Sequence, residues 1–179
     1  YTRQGYGKVK NRILDDFFRT DLVSATGTRW RAVTDKVMGG VSNASLEYRV
    51  VEGRSHLHMA GDVRLENNGG FVQAALDLAS NGGTLDASEF IGVKLVVRSN
   101  GEQYAIHLRT PDNVHPWQSY RAQFIVAGDW TTIDLPFVAF VPHRLETPLD
   151  ITRLRRIGLV AIGRAFRADL AIADLRFYN

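Results

Sequence analysis

The side chains best suited to chemistry in this chain are those that grip anions and hydroxyls. Arginine, lysine, histidine and glutamine recur at alternate positions of several strand-like runs: Gln73, Lys94 and Arg98, His107 and Arg109, Arg121 and Gln123. Guanidinium and amide groups on one face hold carboxylate, phosphate or sugar hydroxyls with fixed geometry. The plainer alternative is the solvated side of a half-buried antiparallel sheet. Trp117 ends the loop 111–117 between two of these runs. Its indole either stacks on a sugar ring or a partner's apolar surface at the edge of the polar face, or plugs an end of the fold.

Two further segments carry a Gly-Gly pair among polar side chains. They are Asp35-Lys36-Val37-Met38-Gly39-Gly40-Val41-Ser42 and Leu65-Glu66-Asn67-Asn68-Gly69-Gly70-Phe71. Paired glycines permit positive φ or a close backbone approach, and at least one glycine of each pair is expected at positive φ. Asp35 reads either as the cap of the Met38-Gly39-Gly40 turn or as a ligand contact. Glu66, Asn67 and Asn68 read either as a plain turn or as part of a cleft rim. His56 and His58, two apart, point to one side of a strand, but no third metal ligand stands out nearby, so no metal is expected. The run Arg153-Leu154-Arg155-Arg156, with Arg164 and Arg167, concentrates charge near the C-terminus. It reads as a solvated segment or a patch for an acidic partner.

The elements that must position these residues are short alternating runs punctuated by Gly, Asn, Asp and Pro, an all-β signature. Strands are expected at 13–17, 29–34, 44–50, 56–60, 71–78, 93–98, 103–109, 120–126, 131–135, 157–162 and 170–177. So many strands with almost no helix predict a jelly-roll or related β-sandwich over 11–179, preceded by a tail or remnant at 1–10. Asn100-Gly101 between two alternating runs predicts a hairpin pairing Val97 with Tyr104 and Leu95 with Ile106. Val93, Leu95, Val97, Tyr104, Ile106 and Leu108 then share the core face. With the strands after Phe71 and Tyr120 in the same sheet, its outer face carries Gln73, Lys94, Arg98, His107, Arg109, Arg121 and Gln123.

Composition narrows the function. The 179 residues include no cysteine, which excludes disulfides, thiolate metal sites and cysteine nucleophiles and suits a reducing compartment. A formal charge of +3 is mild and lacks the dense stripe of a nucleic-acid binder. No apolar run approaches the ~20 residues that span a bilayer, and no secretory signal is visible. GxSxG, HExxH, P-loop and dinucleotide-binding fingerprints are all missing, so a non-catalytic role without cofactor is expected.

The pairing of DxVMGGVS with LENNGGF resembles the complex I intermediate-associated protein 30 family. The likeness continues through Tyr104-Ala105-Ile106-His107-Leu108-Arg109-Thr110, Tyr120-Arg121-Ala122, Trp130-Thr131-Thr132, Leu135-Pro136-Phe137 and Ile157-Gly158-Leu159. The resemblance implies a jelly roll akin to galactose-binding and carbohydrate-binding modules. It also implies an assembly factor, chaperone or accessory subunit of respiratory complex I. Such a protein works in the bacterial cytoplasm or mitochondrial matrix, peripheral to the inner membrane through its partner. The alternative is a module that binds a glycan or another small polar ligand. The resemblance carries no catalytic residue.

Overall fold

A computed structural model describes residues 11–179; the expected tail at 1–10 lies outside the described residues. Ten strands follow in order: β1 (Asn11–Asp15), β2 (Arg31–Thr34), β3 (Ser45–Val51), β4 (Arg54–Val63), β5 (Phe71–Asp77), β6 (Gly92–Arg109), β7 (Ser119–Pro136), β8 (Val141–His143), β9 (Arg156–Ile162) and β10 (Phe166–Tyr178). The helical content is a few short 3-10 turns, including Asp35–Met38 and Glu66–Asn68. The fold is the expected all-β jelly-roll sandwich.

The strands form one hydrogen-bonded sheet in the order β2-β5-β9-β6-β10-β4-β3, with β7 on the other edge of β6 and β8 beyond it. All pairs are antiparallel. The first half of β6 pairs with β10, through residues 92–99, and its second half with β9, through residues 105–109. The sheet therefore divides at the middle of β6 and β7 into two layers that share these long strands. Strands β2 and β3, at the free ends, approach each other without pairing.

The expected hairpin at Asn100-Gly101 does not form, and this corrects the strand list. The runs 93–98 and 103–109 are one strand, β6, and the runs 120–126 and 131–135 are one strand, β7. The true hairpin joins β6 to β7 through the loop 110–118. Gly101 has positive φ (84°) because it sits at a bulge in β6, and Gly128 (85°) marks a matching bulge in β7. Each bulge inserts one extra residue, so the two shifts cancel: Val97 pairs with Thr131, Asn100 with Ala127, and Gln103 with Ile125. Asn100 fixes the bend by donating from Nδ2 to the Arg167 carbonyl (2.8 Å) and accepting from the Tyr104 hydroxyl (2.7 Å).

The face assignment survives the loss of the turn. Val93, Leu95, Val97, Tyr104, Ile106 and Leu108 are all buried in one core with Leu76, Tyr120, Leu159, Leu170 and Phe177. A one-residue bulge reverses the in-out alternation as a two-residue turn does, so Val97 and Tyr104 point inward in either case.

Candidate functional site

The outward side of the layer β2-β5-β9-β6-β7 holds a cleft of about 310 Å³. Alternation builds its floor. Because Val72 and Ala74 face inward, Gln73 faces outward. Ile106 and Leu108 likewise turn His107 and Arg109 to the cleft side, Tyr120 does the same for Ser119 and Arg121, and Ile157 for Arg156. Gly158, paired with His107, leaves room that a side chain would take: a Cβ there would stand 2.1 Å from the Gln73 amide oxygen. Val37 and Met38 of the first 3-10 turn form one wall, and Pro116 and Trp117 of the loop 110–118 form the other.

Each wall is held by a charged side chain turned to structural use. Arg109 donates to the backbone carbonyls of Pro116 (2.8 Å), His115 (3.3 Å) and Asn113 (3.4 Å), which braces the loop that carries Trp117. Trp117 stacks on His115 with ring centroids 4.5 Å apart and keeps 49% of its surface exposed, so it does not plug the sandwich. On the opposite wall, fully buried Asp35 staples both Gly-Gly segments. Its carboxylate accepts from the Ser42 amide (3.0 Å), the Ser42 hydroxyl (2.5 Å), and the amides of Gly70 (2.5 Å) and Phe71 (3.3 Å). Gly39 and Gly70 have positive φ, of 85° and 131°. Gly40 and Gly69 serve by lacking a Cβ, which would meet the Asp35 carboxyl at 2.4 and 2.5 Å. Asn67, itself left-handed, donates to the Gly39 carbonyl (3.2 Å) and ties the segments a second time. Glu66 pairs instead with Arg64 (2.6 Å), and Asn68 is exposed with positive φ; neither lines the cleft.

The electrostatics of the floor are one-sided. Arg109, Arg121 and Arg156 line the cleft, and no acidic side chain among the described residues does. Arg156 is neutralised from outside by Asp77 (2.8 Å), which also takes Arg31. Burial, then nearby Arg144, lowers the pKa of Arg121; burial, then Arg156 and Arg155, lowers that of Arg109. His107 is 8% exposed and its Nε2 has no hydrogen-bond partner among the described residues. Burial, with Arg121, His143 and Arg109 close by, brings its pKa down to about 3, so the ring is neutral at physiological pH.

This depressed value predicts a pH dependence of stability. An unfolded histidine takes up a proton below about pH 6.5, whereas folded His107 resists until about pH 3, so the unfolded state binds more protons in between. Stability contributed above pH 6.5 is therefore lost as pH falls toward 3. Urea midpoints measured across that window fall in the wild type, and in His107→Gln they fall less steeply. An equal slope in both proteins would assign the loss to other groups.

The other expected face residues lie elsewhere, which corrects the single shared face. Gln123 is on the same layer but in a shallower hollow with Gln103 and Arg164. Lys94 and Arg98 precede the bulge and belong to the other layer. Lys94 lies over the Tyr178 ring (5.4 Å), and Arg98 lines a groove with His56, His58 and Trp130. His58 pairs with Asp169 (2.7 Å), and His56 meets the Trp130 ring at 5.2 Å. Among the described residues no three His, Asp or Glu gather as a metal site. The C-terminal arginines are divided among acids: Arg153 with Asp112 and Asp150, Arg164 with Glu102, Arg167 with Asp62. Sequence reasoning missed Val37, Ser119 and Arg156 as lining residues. The alternation of Arg156 with Ile157 and of Ser119 with Tyr120 carried the signal for two of them.

Known proteins resemble this chain in sequence family and in fold. The family described as complex I intermediate-associated protein 30 matches residues 18–172, and the chain belongs to it. No curated protein sequence matches the chain. In fold, the chain is similar to the family 11 carbohydrate-binding module of the cellulosomal cellulase Lic26A-Cel5E of Clostridium thermocellum. The two share 14% identity and a TM-score of 0.71 over 94% of each chain. A structure of the family 11 module from that organism with a β-1,3-1,4-mixed-linked tetrasaccharide gives 14% identity and a TM-score of 0.69, covering 93% of this chain and 94% of that one. The family 30 module of the cellulosomal cellulase Cel9D-Cel44B, also from Clostridium thermocellum, gives 12% and 0.66, covering 94% and 96%. Among the described residues no helix is long and apolar enough to cross a membrane.

Proposed function

We propose that this member of the complex I intermediate-associated protein 30 family is a non-catalytic module that docks on subunits or assembly intermediates of respiratory complex I. Family membership points to the partner. The observation that carries the reading is the cleft itself, where Gln73, His107, Arg109 and Arg121 converge between Trp117 and Met38. Arginine and tryptophan are the side chains that most often anchor interfaces, and they do so from pockets surrounded by apolar contacts. The protein then reaches the respiratory membrane through its partner, from the bacterial cytoplasm or the mitochondrial matrix.

Arg121 is the side chain to test. Arg109 braces the loop 110–118, so its removal would disturb the wall as well as the site. Arg121→Gln leaves the core untouched, and its thermal midpoint stays near that of the wild type. Co-purification with respiratory membranes is expected to fall at least about tenfold, the loss typical of an interface arginine. Undiminished co-purification of the variant would remove the cleft as the docking site. A second reading, a glycan in the same cleft, draws support from the likeness to a module complexed with a tetrasaccharide.

A further inference from the structure

On the premise that the cleft is a docking site, we infer that what enters it is a carboxylate side chain flanked by an apolar one, presented by a partner protein. Three observations meet here. First, among the described residues the lining holds cations without anions, and only Arg156 has a carboxylate, from Asp77 outside the cleft. Arg109 spends its donors on neutral backbone carbonyls. Arg121 uses only Nε, toward the Ser119 hydroxyl (2.8 Å); its two terminal nitrogens make no hydrogen bond among the described residues. Second, His107 lines the floor beside Arg121 in the paired strand, and its buried Nε2 has no partner among the described residues. A buried polar atom left unpaired costs free energy, which a ligand that completes it relieves. Third, the walls continue outward as an apolar collar. Val37 is 73% exposed, Met38 50% and Trp117 49%.

An oxyanion satisfies the floor. One carboxylate oxygen accepts from the terminal N–H groups of Arg121 and the other from Nε2–H of neutral His107, while the net charge of the cleft falls. Sugar hydroxyls would meet the hydrogen bonds but leave two half-buried guanidinium groups, those of Arg109 and Arg121, without a counter-charge. The collar decides between a free acid and a protein. At about 310 Å³ the cleft lies at the small end of ligand sites. A small acid would therefore fill the floor and leave Val37, Met38 and Trp117 in water. A surface segment with a neighbouring leucine, valine or phenylalanine covers them too, giving the apolar ring around a charged anchor that interfaces use.

The test is a random peptide library displayed on phage and selected against the full chain, with Arg121→Gln and Arg121→Lys selected in parallel. A glycan array with neutral and uronate-bearing sugars is probed with the same proteins. Selected peptides are expected to carry Asp or Glu beside an apolar residue. Changing that Glu to Gln in the peptide, or Arg121 to Gln in the protein, should weaken binding about tenfold or more, with Arg121→Lys intermediate. The His107 ring resonances should shift on titration with the selected peptide. Enriched peptides without an acidic residue, or affinities indifferent to the Glu→Gln change, would overturn the carboxylate. Capture of uronate sugars but not peptides would overturn the protein occupant, and capture of neutral glycans would overturn both. Failure to enrich any peptide sinks this inference alone. The docking reading falls only if Arg121→Gln also co-purifies with membranes as the wild type does.

Discussion

Asp35→Ala is expected to lower the stability of the fold by at least about 3 kcal/mol, since several donors at a fully buried site lose their acceptor together. The amides of Ser42, Gly70 and Phe71 would be left without the carboxylate, and only the Ser42 hydroxyl has a fallback, the Arg64 carbonyl at 3.2 Å. The melting temperature should drop by roughly 6–12 °C for a chain of this size. Asn at position 35 keeps one acceptor oxygen and should fall between the two. Burial pulls the Asp35 carboxyl up, but the hydrogen bonds from Ser42, Gly70 and Phe71 together outweigh it and hold it below the usual carboxylate range. Its stabilisation is thus complete above about pH 4 and disappears as pH falls through the lowered value. A denaturation midpoint for Asp35→Ala within error of the wild type would mean that the staple contributes nothing.

Leu95→Ala should cost about 2–5 kcal/mol. Leu95 is fully buried in the first half of β6, with Leu175 of β10 and Ile133 of β7 as its strand neighbours. Strands held on both edges cannot collapse far into the space a missing isobutyl group leaves, which favours the upper part of that range. Leu95→Met, which nearly conserves volume, should cost less than about 1.5 kcal/mol. Equilibrium unfolding in urea distinguishes the two, with a lower midpoint and an unchanged slope as the sign of a native-state cavity. A loss below about 1 kcal/mol for the alanine variant would show that the core around Leu95 repacks.

The residues that face inward were legible in the sequence because burial is a local property of alternation. Pairing partners were not, since they depend on strands distant in the chain. Asn100-Gly101 illustrates the limit. A two-residue Asn-Gly turn and the bulge that forms here both suit a glycine at positive φ, and both reverse the alternation, so Val97 and Tyr104 look the same in either arrangement. Reading a turn there placed Lys94 and Arg98 beside His107 and Arg109, when the bulge carries them into the other layer. The polar side chains after the bulge were assigned to a common face by alternation alone, and Gln73, His107, Arg109 and Arg121 do meet in the cleft. The walls were harder. Val37 and Met38 owe their place to a single buried carboxylate that joins segments far apart in sequence, and no periodic pattern encodes such a contact.

The cancelling bulges at Gly101 and Gly128 bear on how the chain can change length over generations. Losing one residue near Gly101 alone would turn His107 and Arg109 toward the core and Ile106 and Leu108 toward water, unless β7 slipped against β6 and exposed its own apolar side. Losing one residue from each strand would keep both strands in step but straighten the place where they cross from one layer to the other. Insertions and deletions in this pair are therefore expected to be tolerated best in the loop 110–118 and at the outer ends. That loop carries Trp117, so the part of the long hairpin free to vary in length is also the part that shapes what the cleft receives.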